Sequence, residues 1–489
     1  MHRAGARAPS PQAAASAPAV GPTSDDWPHT SRLMPWMIAI FIGMVFLIPI
    51  DGTTFKIHLP VDSRPDRFML VGMVGILILQ ALVTGDRRRP ARRMTAATGG
   101  VLVFGAAALA SVLPNVDRIY RLGELSLVEK QLSQVIAYVV FFLIVATQVR
   151  RTEIRAYGRL VLILAVMTSL GVLYESRTGY NIFYHLTSQL LSPIATVIPA
   201  PTNIHPTIDA GRKSIVGPTQ HGLALASMLT MAMPFAVIRL FEVKTRVARL
   251  GYLLIVGLIF AASLATARKT AIVAPIAALA VLAYYYRRML RWLPVAIIML
   301  IPVIHVVAPG ALGTFTVLSS GGSSISTQGR ESDYAAVTPD IISNPILGRG
   351  FGSLDPDNPR WYRVLDNEYL GELFQVGFLG LIAYLAMVIA PLFTAHRAIR
   401  RDPGRAPPMV AAAAGCAAYA VVSGTFDAMS FPQAPYAFLF AAGLIAAGAA
   451  ALIADGRDDV PAADASLASH PGIGRTRLQS RRALNGART

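Results

Sequence analysis

The residues best suited to chemistry stand where a polar loop meets a long apolar segment. This junction reads Asp366-Asn367-Glu368-Tyr369. Asp366 could accept a proton as a general base, because an ordinary carboxyl group is ionised at neutral pH. The alternative for Asp366 is the N-cap of the following helix, a position that either Asp366 or Asn367 could take, because Asp and Asn are both favoured there. Glu368 is an alternative carboxylate, and His221 is a possible imidazole.

Cations form the second group of candidates. Arg212 stands beside Lys213, and Arg268 stands beside Lys269 in a short break between two apolar runs. A guanidinium group is permanently charged and matches phosphate oxygens in a bidentate fork. The alternative is that these side chains only anchor helix ends at a membrane surface. The pattern predicts an anionic ligand near Arg268, because a cation within an apolar run is costly to retain.

Alternating glycines precede the junction. Gly348, Gly350 and Gly352 permit positive φ angles or a close backbone approach, and Arg349 lies between the first two. Their spacing differs from the G-x-G-x-x-G dinucleotide fingerprint. The sequence also has no His, Cys, Asp or Glu cluster with recognisable metal-ligand spacing. Tyr369 could stack on a sugar ring or lie in the aromatic belt of a membrane.

The composition indicates a membrane protein. Hydrophobic residues make up 54% of the 489 residues, the mean hydropathy is +0.51, and charged residues make up only 15%. Soluble domains usually carry about 25% charged residues. The single cysteine, Cys416, rules out an internal disulfide framework. The net charge of +17 comes mostly from arginines between apolar runs, which indicates orientation in a membrane rather than binding of nucleic acid.

Apolar runs predict an all-α polytopic membrane protein with about twelve transmembrane helices. We place these spans at 34–50, 68–84, 96–113, 133–148, 158–174, 219–239, 250–266, 270–286, 290–308, 367–394, 408–425 and 434–454.

Lysines and arginines concentrate in every second loop, which predicts a cytoplasmic N-terminus by the positive-inside rule. Residues 1–30 are then a disordered cytoplasmic tail, residues 31–454 form the membrane domain, and residues 455–489 form a basic cytoplasmic tail. The long loops 175–218 and 309–366 lie outside. The cations left on the outer side run against the rule and favour an anionic ligand there.

The segment 344–381 also resembles a known family. It contains NPILGRGFG at 344–352, DNEYL at 366–370 and GFLGL at 377–381. These motifs resemble the O-antigen ligase/polymerase (Wzy-C) superfamily of bacterial membrane glycosyltransferases. GRKSIVGP at 211–218 and ATARKT at 265–270 are similar to the arginine-bearing segments of the family, so the resemblance covers residues 212–381.

The resemblance implies a GT-C-like fold and a metal-independent, inverting glycan transfer without a cofactor. The donor would be a polyprenyl-diphosphate-linked glycan, and a glycan, lipid or protein would supply the acceptor hydroxyl outside the cytoplasmic membrane. Arg212 and Arg268 would hold the diphosphate, and Asp366 would accept the proton. The residues expected to contact substrate are Lys213, His221, Lys269, Arg349, Gly350, Asn367, Glu368 and Tyr369.

One departure from the family matters. The family often has His where this chain has Asp366, and a carboxylate repels a diphosphate, so the two residues cannot simply exchange roles. Two functions of other classes remain open: a permease or flippase of envelope precursors, and a non-catalytic member of an envelope polymer complex. A flippase would need ionisable residues within several spans, and most spans here have none. Polymerase, ligase and protein glycosylation are not distinguished.

Overall fold

The computed structural model describes residues 25–57, 63–84, 94–199, 208–209, 212–213, 215–266, 268, 270–287, 291, 325–353, 365–403 and 406–458. The helices are α1 Leu33–Leu47, α2 Pro65–Thr84, α3 Ala96–Val112, α4 Val116–Leu122, α5 Leu125–Gln148, α6 Ile154–Thr178, α7 Ile182–Leu191, α8 Gly222–Glu242, α9 Arg246–Ala265, α10 Thr270–Tyr285, α11 Ile325–Ser343, α12 Glu368–Arg401, α13 Pro407–Val422 and α14 Gln433–Asp458. Two short antiparallel pairs accompany them: β1 Thr53–Phe55 with β2 Ala195–Val197, and β3 Ile208–Asp209 with β4 Arg212–Lys213.

The prediction of an all-α polytopic membrane protein is confirmed. Within the described residues, 8 helices are long and apolar enough to cross a membrane. Three further apolar helices are shorter: α1, α10 and α13. These eleven helices correspond to eleven of the predicted spans; of the predicted span 290–308, only residue 291 is among the described residues.

The bundle is organised around α8, α13 and α14. These helices are apolar on all sides and mostly buried. A helix of that kind belongs in the centre of a bundle. By contrast, α2 exposes Val71, Leu82 and Val83 by 73%, 76% and 78%. This helix therefore lies at the periphery, with an apolar face suited to lipid.

Two segments assigned to loops or tails contain regular structure. The predicted outer loop 309–366 includes α11, which contains Asp340. The predicted outer loop 175–218 includes α7 and three of the strands. The last residues of the predicted N-terminal tail also make contacts. The ring of Trp27 stacks on Tyr157 at 4.8 Å, and its backbone N–H donates to Glu153. Residues 25–30 are thus packed against the start of α6.

Contacts between helix ends sort the connections into two faces. Arg151 and Asp402, from two predicted cytoplasmic loops, form an ion pair of 2.5 Å. At the other end, Gln433 donates to Asp51 at 3.0 Å, and both residues belong to predicted outer segments. The structure thus groups the connections in the same way as the alternation of Lys- and Arg-rich loops in the sequence. Which face is cytoplasmic stays a prediction of the positive-inside rule.

A break in α12 shapes the outer face. Gly377 has φ 74° and interrupts the helix, and residues 344–353, here called the glycine loop, lie against the break. The N–H of Phe378 donates to the carbonyl of Pro345 at 2.8 Å, and the N–H of Gly350 donates to the carbonyl of Gln375 at 2.7 Å. The loop therefore supplies partners for backbone groups that the broken helix leaves open.

Gly348 is required for this contact. Its φ is 59°, and a Cβ atom there would lie 2.5 Å from the carbonyl carbon of Gln375. The alternating glycines thus approach the backbone of α12. The close backbone approach that the sequence predicts is confirmed for Gly348, and the segment that it approaches is the backbone of α12.

We expect Gly348→Ala to lower the melting temperature sharply. A left-handed conformation costs a non-glycine residue about 1–3 kcal/mol, and the Cβ clash adds to this. Gly43→Ala is the matched control, because Gly43 lies in α1 with no atom within 4 Å of its added Cβ. The control should be neutral or gain about 0.5–1 kcal/mol. Thermal unfolding of the purified proteins measures both, and equal melting temperatures would contradict this role of Gly348.

Cysteine labelling tests the orientation. Ser188 on α7 is exposed at the predicted outer face, and Lys244 between α8 and α9 is exposed at the predicted cytoplasmic face. In intact cells a membrane-impermeant maleimide should label Ser188→Cys and spare Lys244→Cys until the cells are opened. The native Cys416 is buried and should give little background. Labelling of Lys244→Cys in intact cells would reverse the assignment.

Candidate active site

Three helices converge at the predicted outer face on residues 423–432, here called the α13–α14 loop. The contacts come from His221 before α8, Thr270 at the start of α10 and Glu368 at the start of α12. This junction unites His221 and Glu368 from the predicted site with a loop that the sequence prediction did not include.

His221 is the N-cap of α8. Its Nδ1 accepts from the backbone N–H of Leu223 at 3.3 Å, and its ring stacks on Phe431 at 5.1 Å. Burial, with a smaller contribution from the charge of Arg268, lowers the pKa of His221 to about 4. The imidazole is therefore neutral at pH 7, and its proton lies on Nε2 because Nδ1 is the acceptor. His221 presents a hydrogen-bond donor to the site.

Arg268 lies in the break between α9 and α10. Its carbonyl accepts from the N–H of Ala271 at 3.0 Å, which fixes the residue at the first turn of α10. The side chain is half-buried, and its charge acts on the imidazole of His221. A hydrogen bond of 3.1 Å between the hydroxyls of Thr270 and Thr425 ties this break to the α13–α14 loop. Arg268 and His221 thus belong to one site.

Two carboxyl groups meet beside the same loop. Glu368 is buried, and its Oε2 accepts from the N–H of Met429 at 2.8 Å. The carboxyl group of Asp427 lies beside that of Glu368, and repulsion between two neighbouring buried carboxylates favours a proton on one of them. Burial raises the pKa of Asp427. Glu372, one turn further along α12, is fully buried and adds a third carboxyl group.

The Met429 peptide is held on both sides. Its carbonyl accepts from Gln134 Nε2 and from the hydroxyl of Tyr138, each at 3.1 Å. Arg64 donates in turn to Gln134 Oε1 at 2.8 Å. Because Glu368 holds the N–H of the same residue, the start of α12 is joined to α5 through the backbone of this one residue. The arrangement makes the position of Asp427 depend on buried, satisfied polar groups.

Asn367, and not Asp366, caps α12. The Oδ1 of Asn367 accepts from the N–H groups of Tyr369 and Leu370 at 3.1 and 3.4 Å. Of the two predicted caps, Asn367 is confirmed and Asp366 is wrong; the Asp366 side chain is exposed at the predicted outer face. The hydroxyl of Tyr369 donates to the carbonyl of Ala420 at 2.5 Å, which anchors α12 on α13.

Arg349 and Gly350 lie in the packing of the glycine loop. Arg349 is buried, pairs with Asp340 at 3.1 Å and places its guanidinium over the Phe374 ring at 5.3 Å. Gly350 has φ 100° and binds the backbone at the break in α12. The structure thus gives both residues contacts that serve the fold. Their predicted contact with substrate stays a prediction.

The remaining predicted residues are covered only in part. Arg212 and Lys213 form β4, which is paired with β3 in the register Asp209 with Arg212. The structure describes the backbone of β4 and not its side chains. Lys269 lies outside the described residues. The joint role of Arg212 and Arg268 therefore stays a prediction.

The α13–α14 loop is what the sequence prediction missed. The predicted span 408–425 included the first three residues of this loop, whereas α13 ends at Val422. One signal was available: Asp427 is the only acidic residue between Asp402 and Asp455. An acidic residue that stands alone in a short connection between two long apolar spans is a candidate for a specific polar contact near the membrane.

We expect the stability of the fold to depend on His221 below pH 6.5. The pKa of about 4 in the folded protein is below the ordinary 6.5, so the unfolded chain binds more protons. This contribution is complete above pH 6.5 and is lost as the pH falls toward 4. His221→Asn keeps a capping acceptor and removes the titration, so its melting temperature should fall less over that range.

His185→Asn, at an exposed position on α7, is the control and should show the pH dependence of the wild type. Melting temperatures measured between pH 4 and 6.5 make the comparison. Identical slopes for His221→Asn and the wild type would show that His221 does not titrate in this way.

The match to a known family covers the centre of this site. Residues 252–385 match the family model described as O-Antigen ligase. The matched segment contains Arg268, the glycine loop and Asp366, while His221 and the α13–α14 loop lie outside it. The chain matches none of the curated proteins with which it was compared. Residues 252–385 thus carry an O-antigen ligase domain, which supports the resemblance to the O-antigen ligase/polymerase family seen in the sequence.

Proposed function

We propose that this protein transfers or polymerises a polyprenyl-diphosphate-linked glycan onto an acceptor hydroxyl at the outer face of the cytoplasmic membrane. The product belongs to cell-surface polysaccharide. The observation that carries this proposal is the meeting of Arg268 and a neutral His221 beside a pair of carboxyl groups. These groups surround one junction of a membrane bundle that carries an O-antigen ligase domain.

Arg268 and His221 suit the leaving group. When the bond between the sugar C1 and the diphosphate oxygen breaks, negative charge grows on the diphosphate. A guanidinium group and an Nε2–H donor held in place beforehand stabilise this charge without reorganisation. Arg212 adds a second cation in the proposal. The charge stabilisation is thus assigned to side chains, in a metal-independent reaction.

The carboxyl groups suit the acceptor. Its hydroxyl oxygen attacks C1 from the face opposite the diphosphate, which inverts the configuration, and its proton passes to a carboxylate. Asp366 is assigned this role, because it is exposed at the outer face and no longer explained as the cap of α12. Glu368 and Asp427 are weaker proton acceptors, because repulsion between the two carboxylates favours one proton already held by the pair. Repulsion between Asp366 and the diphosphate keeps donor and acceptor on separate sides of the site.

Transfer by the purified protein tests the proposal. Lipid-linked glycans extracted from cells that express the protein serve as donors, and the glycan on the acceptor is measured. Arg268→Gln should lower the rate about a hundred- to a thousandfold, as expected when charge stabilisation of a leaving group is lost. Arg246→Gln is the matched control: Arg246 is exposed at the other end of α9, and its loss should leave the rate unchanged.

Asp366→Asn separates the acceptor role from a structural one. The amide keeps the shape and cannot accept the proton, so the rate should fall about a hundred- to ten-thousandfold. Near-normal transfer by this variant would remove Asp366 from the reaction and leave Glu368 and Asp427 as the carboxyl groups to test. No transfer by folded wild-type protein with any lipid-diphosphate glycan would refute the proposed function itself.

A further inference from the structure

Helix α7, at the predicted outer face, keeps part of its apolar surface exposed. Phe183, Tyr184 and Thr187 are buried and pack the helix on the bundle. Leu186 and Leu190 lie one turn apart and are 50% and 76% exposed. The apolar stripe of α7 is therefore wider than the part of it that contacts the rest of the protein.

The other side of α7 is polar. At about 100° per residue, Ser188 and Gln189 lie on the side of the helix away from the buried Thr187. Leu186 and Leu190 lie between the buried side and the polar side. A helix whose exposed apolar stripe runs beside a polar stripe is typical of a segment that lies at the surface of a membrane.

The exposed apolar stripe of α7 continues a similar stripe on α6. Helix α6 is long and apolar enough to cross a membrane. Its exposed apolar residues at helical spacing are Ile163, Met167 and Leu170. A Cβ atom at the next residue, Gly171, would lie 2.5 Å from Cζ of Phe183. Because Gly171 belongs to the predicted span 158–174, α7 begins at the depth of the outer part of that span.

Residues suited to the headgroup layer flank α7 at both ends. The ring of Tyr180, just before the helix, stacks on His185 at 4.0 Å, and tyrosine is enriched where a membrane meets water. Beyond the other end, the exposed Lys56 donates to the carbonyl of Ser192 at 2.7 Å. A lysine at the edge of an apolar surface keeps its ammonium group at the level of the headgroups.

Two side chains join α7 to the turn that leads to His221. Asn181 caps α7 through Oδ1, and its Nδ2 donates to the carbonyl of Gly217 at 2.7 Å. The hydroxyl of Tyr184 donates to the carbonyl of Thr219 at 3.3 Å. The position of α7 therefore affects the position of the turn before His221.

We propose that α7 lies in the outer leaflet of the membrane. Leu186 and Leu190 are among the lipid acyl chains, and Ser188 and Gln189 face water. Lipid is favoured over a protein partner because the stripe is continuous with the membrane-spanning α6 and because interface residues flank both ends of α7. The helix then holds the turn before His221 at the membrane surface, a consequence for donor binding that rests on the proposed function.

Nitroxide labels on single introduced cysteines test this placement in the full-length protein in liposomes. Power saturation compares collisions with oxygen, which concentrates among acyl chains, with collisions with a nickel chelate, which stays in water. The logarithm of the oxygen-to-nickel ratio should be positive for Leu186→Cys and Leu190→Cys and negative for Ser188→Cys and Gln189→Cys. All four positions are exposed on one helix, so the polar pair is the matched control.

Three results would overturn the proposal. Negative logarithms at Leu186→Cys and Leu190→Cys would place the apolar stripe in water. Low collision rates with both reagents at these two positions would show that a second copy of the chain covers the stripe. Positive logarithms at all four positions would place the whole helix among the acyl chains. The measurement needs no glycan transfer, so its outcome is separate from that of the proposed function.

Discussion

The outer face depends on the contact between the glycine loop and the break in α12. A break at Gly377 would leave backbone donors and acceptors open near the membrane, where each open group costs several kcal/mol. The glycine loop forms hydrogen bonds with these groups in both directions. Its carbonyls accept from the N–H groups of Phe378 and Leu379, and its N–H groups donate to the carbonyls of Phe374 and Gln375. The first turns of α12 are therefore free to take a direction different from the rest of the helix. That direction brings Glu368 onto the α13–α14 loop.

The site is consequently assembled from segments far apart in the chain. The O-antigen ligase domain supplies Arg268 and the start of α12, while α8 supplies His221 and the α13–α14 loop supplies Asp427. The buried carboxylate of Glu368 is tolerated there because a backbone N–H group donates to it. Met429 shows this most directly, since Glu368 binds its N–H while Gln134 and Tyr138 bind its carbonyl.

The sequence predicts what depends on local pattern. Apolar runs located the membrane helices, and the polar junction before α12 located Asn367 as one of two possible caps. The roles that depend on contacts across the chain were not predictable in this way. A glycine at position 348 indicates a close backbone approach, but the local sequence does not predict that Gln375 is the residue it approaches. The helical α11 was missed because its segment has no apolar periodicity, and the α13–α14 loop was missed because apolar residues continue up to Val422.

The substitution of Asp366 for the histidine common in the family follows a charge pattern in this site. His221 is neutral, and its Nδ1 is engaged by the cap of α8, so it can donate a hydrogen bond but cannot take up a proton at Nε2. A proton acceptor must then come from the carboxyl groups. Burial raises the pKa of Asp427 beside Glu368, and a pair that holds one proton would repel the proposed diphosphate less than two full charges. In the proposed reaction the exposed Asp366 is this acceptor, because its carboxylate can take up a proton without adding a further buried charge.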